Sequence, residues 1–271
     1  MYLEYFALQE FPFVLTPNTH YFCNLPSYHE ALNVLLFSLN SGEGFIKIVG
    51  EVGTGKTMLC RELLNQLENK NYVTAYIANP SLDGFGLQKA VAQELKVRFT
   101  NTVDQHNLLN SINRKVLRLH RAGKRVAIII DEAQILSDQG LEGLRLLSNL
   151  ETELSKLLQI VLFGQTELDG RLNQANLRQL KQRIAFSYYL RPLSFFELKD
   201  YVNYRLAKAG NNGGSLFSPR AYKMLYKASR GIPRLVNILG HKALLATYGR
   251  GQRIADAKAI RMAISDTESV S

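Results

Sequence analysis

The residues best suited to chemistry form one glycine-rich segment, Gly50-Glu51-Val52-Gly53-Thr54-Gly55-Lys56-Thr57. Its spacing matches G-x-x-x-x-G-K-[ST], in which backbone N–H groups wrap a polyphosphate in front of a helix N-terminus. We expect Lys56 to reach the β- and γ-phosphates and the Thr57 hydroxyl to hold Mg²⁺. The pattern therefore predicts that residues 50–57, together with Met58, bind a nucleoside triphosphate.

A pair of carboxylates follows the apolar run Val126–Ile130. Asp131 is expected to contact Mg²⁺, and Glu132 is placed to polarise an attacking water as a general base. An apolar run that ends in two acids is also typical of a helix boundary. Its position downstream of a phosphate-binding loop favours the catalytic interpretation.

Four more polar residues are candidates for contact with the phosphates. Gln165 follows the predicted strand Leu157–Phe163, at the edge where parallel sheets bind ligands, although a plain turn residue fits there too. Two arginines, Arg178 and Arg183, precede the last predicted strand. Either one, supplied by a neighbouring subunit, would neutralise charge in the transition state. The alternative is that both are surface arginines. Arg234 follows Pro233 at a predicted helix start.

Alternating strands and helices must position these residues. Short apolar runs predict strands at Phe45–Val49, Tyr72–Ala78, Val126–Ile130, Leu157–Phe163 and Ile184–Leu190. Between them, periodic segments predict helices near 27–41, 56–69, 84–96, 104–122, 139–153 and 176–183, the first with Ser27 as its cap. Largely apolar strands that alternate with helices predict an α/β domain with a parallel sheet covered on both faces.

The strands stop near residue 191, and the remainder predicts helices near 194–209, 218–229, 232–248 and 256–265, with a loop at Asn211–Gly214. Ahead of the first helix, an aromatic and proline-punctuated stretch reads as an ordered, extended arm. We therefore predict an arm (1–26), an α/β domain (27–191), a helical domain (192–265) and a frayed tail (266–271).

Composition limits where the chain acts and on what. It has 271 residues, of which 33 are basic and 23 acidic, and therefore a net charge of +10 and a pI near 9.6. This excess of positive charge favours contact with nucleic acid or with an anionic membrane surface. The densest basic stretch, 114–125, is either a solvated helix face or a surface for such a partner. Two cysteines, no signal-like N-terminus and no apolar run of about 18 residues predict a cytoplasmic protein.

Taken together, these residues resemble the AAA+ ATPases, and most closely the ExeA/GspA secretion group with its members for MSHA pilus biogenesis. The resemblance covers nearly the whole chain. Beyond the phosphate loop it rests on segments at Phe11–Pro17, Asp131–Gln134, Arg145–Thr152, Phe163–Gln165, Gln182–Ile184 and Gly231–Asn237. It implies a P-loop domain followed by a small all-α lid.

The resemblance also implies roles. Lys56 and Thr57 would belong to Walker A, Asp131 and Glu132 to Walker B, and Gln165 to the sensor 1 position. Arg183, with Arg178 in reserve, would be the arginine finger, and Arg234 would be sensor 2. ATP, with Mg²⁺, would lie between subunits of a ring or helical homo-oligomer, hexamer-like in form, with the Phe11–Pro17 arm near the adenine.

Three functions remain open at this point, and one of them is a nucleotide-gated scaffold with negligible turnover, against which the intact Glu132 argues. The resemblance implies an ATPase that assists assembly of a type IV pilus or type II secretion machine through partners at the inner membrane, where it would bind peripherally. The alternative is a DNA-binding AAA+ ATPase similar to the transposition regulators TniB and TnsC, which the basic charge favours.

Overall fold

The computed structural model describes residues 2–150, 156–211 and 213–268. Glu151 and Thr152 of the family-like segment, Asn212 of the predicted loop and residues 269–271 of the predicted tail lie outside that range. The chain divides into two compact units. We call Glu30–Glu51 with Leu59–Leu190 the sheet unit, and Met1–His29, Val52–Met58 and Arg191–Ser271 the helical unit.

The sheet unit is built on five parallel strands in the order β2-β3-β4-β1-β5. Their bounds are β1 (Phe45–Gly50), β2 (Tyr72–Ile77), β3 (Arg125–Ile130), β4 (Leu158–Gly164) and β5 (Ile184–Leu190). Every residue of β4 is buried, whereas exposure alternates along β5, which lies at one edge of the sheet. Strands buried on both faces read as continuous apolar runs, which is why the sequence revealed them.

Helices connect these parallel strands. They are α2 (Pro26–Asn40), α3 (Lys56–Glu68), α4 (Gly84–Glu94), α5 (Gln105–Arg121), α6 (Asp138–Leu147), α7 (Glu167–Leu172) and α8 (Arg178–Gln182), the first residues of α2 and α3 belonging to the helical unit. Asp83 and Asp104 cap α4 and α5 by accepting backbone N–H bonds. Aliphatic side chains of β3, α4 and α5 form one buried core that holds the strand ends in fixed positions.

The helical unit contains α1 (Tyr2–Tyr5), α9 (Phe195–Lys208), α10 (Pro219–Ser229), α11 (Pro233–Gly249) and α12 (Ala257–Glu268). A capping box between Ser194 and Glu197 fixes the start of α9. The buried Arg205 side chain donates to the backbone carbonyls of Pro12 and Val14. Its guanidinium carbon also lies 4.6 Å from the ring centre of Tyr21, so one buried cation holds the N-terminal segment on α9.

The expected fold class is confirmed, with local differences. Helix α7 was not predicted, and α6 ends at Leu147, earlier than predicted. The N-terminal segment is not extended throughout, because Tyr2–Tyr5 is helical and packs its aromatic rings together. Helix α2 begins at Pro26, so Ser27 lies inside its first turn and is not its cap; proline suits that first position because its missing N–H is not needed there. Helix α12 continues to Glu268.

No helix in residues 2–150, 156–211 and 213–268 is long and apolar enough to cross a membrane. The predicted domain boundaries stay predictions.

Candidate active site

Three neighbouring strands of the sheet unit end at the same edge with candidate residues. β1 ends at Gly50, β3 is followed by Asp131 and Glu132, and β4 is followed by Gln165. Because β3, β4 and β1 are adjacent and parallel, their carboxyl ends share one edge, where open α/β sheets bind ligands. The strand order thus brings these predicted residues to one edge of the sheet.

The Glu132 carboxylate is held by two amide groups. Its Oε2 accepts a hydrogen bond from Nε2 of Gln165 at 3.2 Å and another from Nε2 of Gln134 at 2.6 Å. The backbone at Glu132 is left-handed, with φ 52° and ψ 39°, and its N–H donates to Oδ1 of Asp131 at 3.0 Å. A non-glycine residue in this conformation is strained, and such strain is concentrated at functional sites.

Gln134 has no predicted role, although it belongs to the Asp131–Gln134 segment that carries the family resemblance. Its Oε1 accepts the backbone N–H of Gln165 at 3.0 Å while its Nε2 holds Glu132. Arg171 on α7 donates in turn to the Gln134 carbonyl at 2.9 Å. One side-chain amide therefore fixes the turns after β3 and β4 relative to each other.

Asp131 is more deeply buried than Glu132. It is 2% exposed, and its N–H donates to the Ile77 carbonyl at the end of β2. Burial raises the pKa of the nearby Cys60 thiol, and the negative charge of Asp131 raises it further, so Cys60 stays a neutral thiol at physiological pH. A buried carboxylate is a hard oxygen ligand of the kind that Mg²⁺ prefers.

Most of the phosphate loop, with Met58, belongs to the helical unit, which takes in Val52–Met58. Gly53 and Gly55 have φ of 81° and 94°, and a Cβ on Gly55 would lie 2.6 Å from the Tyr28 Oη. That hydroxyl donates to the Thr54 carbonyl at 2.6 Å in a fully buried setting. Tyr28 is a second residue that the sequence did not reveal, since it lies 26 positions before its partner.

The other loop residues differ in exposure. Lys56, the first residue of α3, is 6% exposed; Thr57 and Met58 are half-buried, and Val52 is 55% exposed. The loop also contacts a predicted residue of α11, because the Arg234 N–H donates to the Gly53 carbonyl at 3.2 Å. A Cβ on Gly53 would lie 2.8 Å from the Arg234 Cβ, so this close approach requires glycine.

The two arginine-finger candidates lie outside the Glu132 network. Arg183 follows α8 and donates from Nη1 to the Ser148 Oγ at 2.7 Å. Arg178, at the start of α8, is exposed. Within the part of the chain that the structure describes, neither side chain hydrogen bonds to Glu132, Gln134 or Gln165.

Comparison with known proteins agrees with this architecture. A family model described as an AAA domain matches residues 39–172. General secretion pathway protein A of Aeromonas hydrophila is 43% identical over 251 residues, which are 93% of this chain and 46% of the relative. The chain thus spans about half the length of that relative.

Solved structures show the same fold. Cdc6p from Pyrobaculum aerophilum superposes with a TM-score of 0.71 at 20% identity, covering 93% of this chain and 69% of that one. Drosophila ORC bound to DNA superposes with a TM-score of 0.69 at 16% identity, covering 97% of this chain and 66% of that one. At such identities the likeness concerns the fold alone. The chain therefore has the AAA+ P-loop fold, and over nearly its whole length it is similar to the ExeA/GspA group.

Proposed function

We propose that the chain is a Mg²⁺-dependent ATPase in which Glu132 is the general base. The observation that carries this proposal is the Glu132 carboxylate, fixed by the amides of Gln165 and Gln134 at the sheet edge directly after the buried Asp131. A carboxylate held by neutral donors keeps a lone pair to accept a proton from water. Gln165, which donates a hydrogen bond to Glu132, would orient that water.

The residues of the phosphate loop fit a bound triphosphate and its cation. Gly53 and Gly55 adopt the left-handed backbone that a loop wrapping a polyphosphate needs, and Lys56 would offer an ammonium to the β- and γ-phosphates. The Thr57 hydroxyl and the Asp131 carboxylate are hard oxygen donors for Mg²⁺, which would supply charge neutralisation when bound. Residues 50–58 are thus assigned to nucleotide binding, and Thr57 and Asp131 to the metal.

The three arginines complete the proposal. Arg183, or Arg178 in reserve, would reach the ATP of a neighbouring subunit in a ring or helical homo-oligomer. Among the residues that the structure describes, the Arg183 side chain donates to the neutral Ser148 hydroxyl, which a phosphate can replace at low cost. Arg234, whose backbone already contacts the loop at Gly53, would report on the γ-phosphate.

For the cellular role we propose assistance to assembly of a type II secretion machine or an MSHA-like type IV pilus, acting from the cytoplasm at the inner membrane. The support is the 43% identity to general secretion pathway protein A across 93% of this chain. In cells that lack the chain, surface pili or secreted protein should be lost, and the wild type should restore them while Glu132→Gln does not.

A mixing experiment tests the shared active site. Glu132→Gln and Arg183→Ala should each be inactive alone, yet a mixture should regain turnover, since some interfaces combine an intact Glu132 with an intact Arg183. Recovery supports the assignment, and no recovery despite co-assembly contradicts it. Arg178→Ala distinguishes the two candidates: it keeps activity if Arg183 is the finger, and its inactivity beside an active Arg183→Ala would move the assignment to Arg178.

DNA binding is the second candidate, and the net charge of +10 is the observation that favours it. A DNA-dependent ATPase would show turnover stimulated by duplex DNA, and its DNA affinity would fall steeply with salt. Turnover indifferent to DNA at low salt would exclude this candidate.

A further inference from the structure

A basic cavity of about 470 Å³ lies in the sheet unit and shares no lining residue with the Glu132 network. Residues that follow α4 form one wall, and one face of α5 forms the other. Five cations line it: Lys96, Arg98, Arg114, Lys115 and Arg118. Its volume falls within the range of about 300–1,000 Å³ that is usual for small-ligand sites.

Among the described residues, those that line this cavity include no acidic side chain. None of the five cations forms an ion pair with any residue that the structure describes. Their recorded hydrogen bonds are Arg114 to the Ser111 hydroxyl at 3.2 Å and Arg118 to the Arg114 carbonyl at 3.4 Å. Arg114 and Arg118 are also like charges one helical turn apart, which destabilises α5.

Lys96 adds an independent observation. It ends α4 with φ 54°, a left-handed conformation that favours glycine. The N–H of Lys96 donates to the Gln93 carbonyl at 2.9 Å and that of Val97 to the Ala92 carbonyl at 2.8 Å, the two bonds of a Schellman motif. A lysine thus occupies the position where glycine is preferred, and it lines the cavity.

From this geometry we infer that the cavity binds an anion carrying two or more phosphate groups. Three guanidinium groups supply planar, paired donors for phosphate oxygens, and two ammonium groups supply point charges. Such a ligand would neutralise the repulsion among the five cations. The inference is independent of the proposed ATPase, because none of these residues belongs to the Glu132 network or the phosphate loop.

A compact ligand fits better than duplex DNA. The cations surround a concave cavity, whereas non-specific duplex binding depends on charges spread along the phosphate backbone. Two sources of the phosphates remain, a free polyphosphate-type anion and the headgroup of an acidic phospholipid. The experiment has one arm for each.

The soluble arm measures tripolyphosphate binding by calorimetry, with the phosphate loop saturated by Mg·ADP. The site variant is Arg114→Glu/Arg118→Glu. The matched control is Arg121→Glu/Lys124→Glu, which changes the net charge equally at two exposed residues that do not line the cavity. The lipid arm measures cosedimentation with phosphatidylcholine vesicles, with and without cardiolipin, whose headgroup carries two phosphates.

We expect the site variant to weaken binding at least about tenfold and the control to weaken it less than about twofold. If the site variant loses only tripolyphosphate binding, the ligand is a free anion. If the site variant loses vesicle binding, and tripolyphosphate displaces the wild type from vesicles, the ligand is a lipid headgroup. Lys96→Gly gives a separate readout: it should weaken binding without lowering the midpoint of thermal unfolding, since glycine relieves the left-handed lysine.

Equal weakening in the site variant and the control would overturn the inference, because general electrostatics would then explain binding. Absence of wild-type binding in both arms would overturn it as well. So would a short DNA duplex that binds through the same arginines and displaces tripolyphosphate, since the surface would then serve nucleic acid.

Discussion

Removing one hydroxyl beneath the phosphate loop should weaken ATP binding. Tyr28→Phe keeps the ring but deletes the Oη that donates to the Thr54 carbonyl at 2.6 Å. Thr54 is 1% exposed, so its carbonyl is left without this donor in a place that water does not reach. Deleting one buried hydrogen bond costs about 0.5–1.5 kcal/mol.

The cost should appear in ATP affinity, because the free loop can relax while the bound loop must return to the cradle conformation. A loss of ~1.4 kcal/mol corresponds to a dissociation constant that rises about tenfold. Calorimetric titration of the wild type and Tyr28→Phe with a non-hydrolysable ATP analogue and Mg²⁺ measures this change directly.

Tyr72→Phe is the matched control. In the wild type, the Tyr72 Oη also donates to a backbone carbonyl, that of Leu39 at 2.9 Å. Tyr72 lies at the amino end of β2, where no candidate site residue lies. It should lower stability by a similar amount and leave ATP affinity unchanged. An unchanged affinity in Tyr28→Phe, or an equal loss in both variants, would refute the reasoning.

Three further predictions concern other parts of the chain. Gln134→Leu removes the 2.6 Å donor to Glu132 and should slow ATP turnover by about tenfold or more in steady-state assays; turnover equal to the wild type would show that Gln165 positions Glu132 alone. Although burial raises the pKa of Glu197, hydrogen bonds from Arg191 and from Ser194 lower it from 4.5 to about 2. Glu197 therefore stabilises the fold fully above pH ~4.5, by at most about 3 kcal/mol, and this contribution is lost as the pH falls to ~2. Denaturant titrations should show that Glu197→Gln removes this loss, and parallel pH profiles for the two proteins would contradict the assignment. Gly231→Ala places a Cβ 2.0 Å from a backbone carbonyl at φ 74°, so thermal unfolding should reveal a loss of about 2–5 kcal/mol, and an unchanged midpoint would contradict it.

The sequence revealed the sheet because its strands are short apolar runs bounded by polar turns. All five predicted strands are confirmed to within one residue at each end. It also placed Asp131, Glu132 and Gln165 correctly after β3 and β4, because side chains at the carboxyl ends of adjacent parallel strands must share an edge.

Contacts between distant positions were not readable in the same way. Tyr28 and Arg205 reach backbone carbonyls 26 and 193 residues away, and no local pattern marks such partners. Gln134 was part of a family-like segment, but its role depends on the turn after β4 that it contacts. The short α7 was missed because a single polar turn and a half carries little periodic signal.

The left-handed conformations at Glu132 and Lys96 were equally hidden, since neither residue type favours them. Only the backbone geometry revealed these two conformations. Glu132 belongs to the proposed active site, and Lys96 lines the proposed anion cavity.

Turnover of Mg·ATP by the purified wild type and by Glu132→Gln, measured beside ATP affinity for both, tests the central claim most directly. We predict that the variant binds ATP as tightly as the wild type, within about twofold, and hydrolyses it at least about a hundredfold more slowly. Equal turnover in the two proteins would contradict the assignment of Glu132 as the general base.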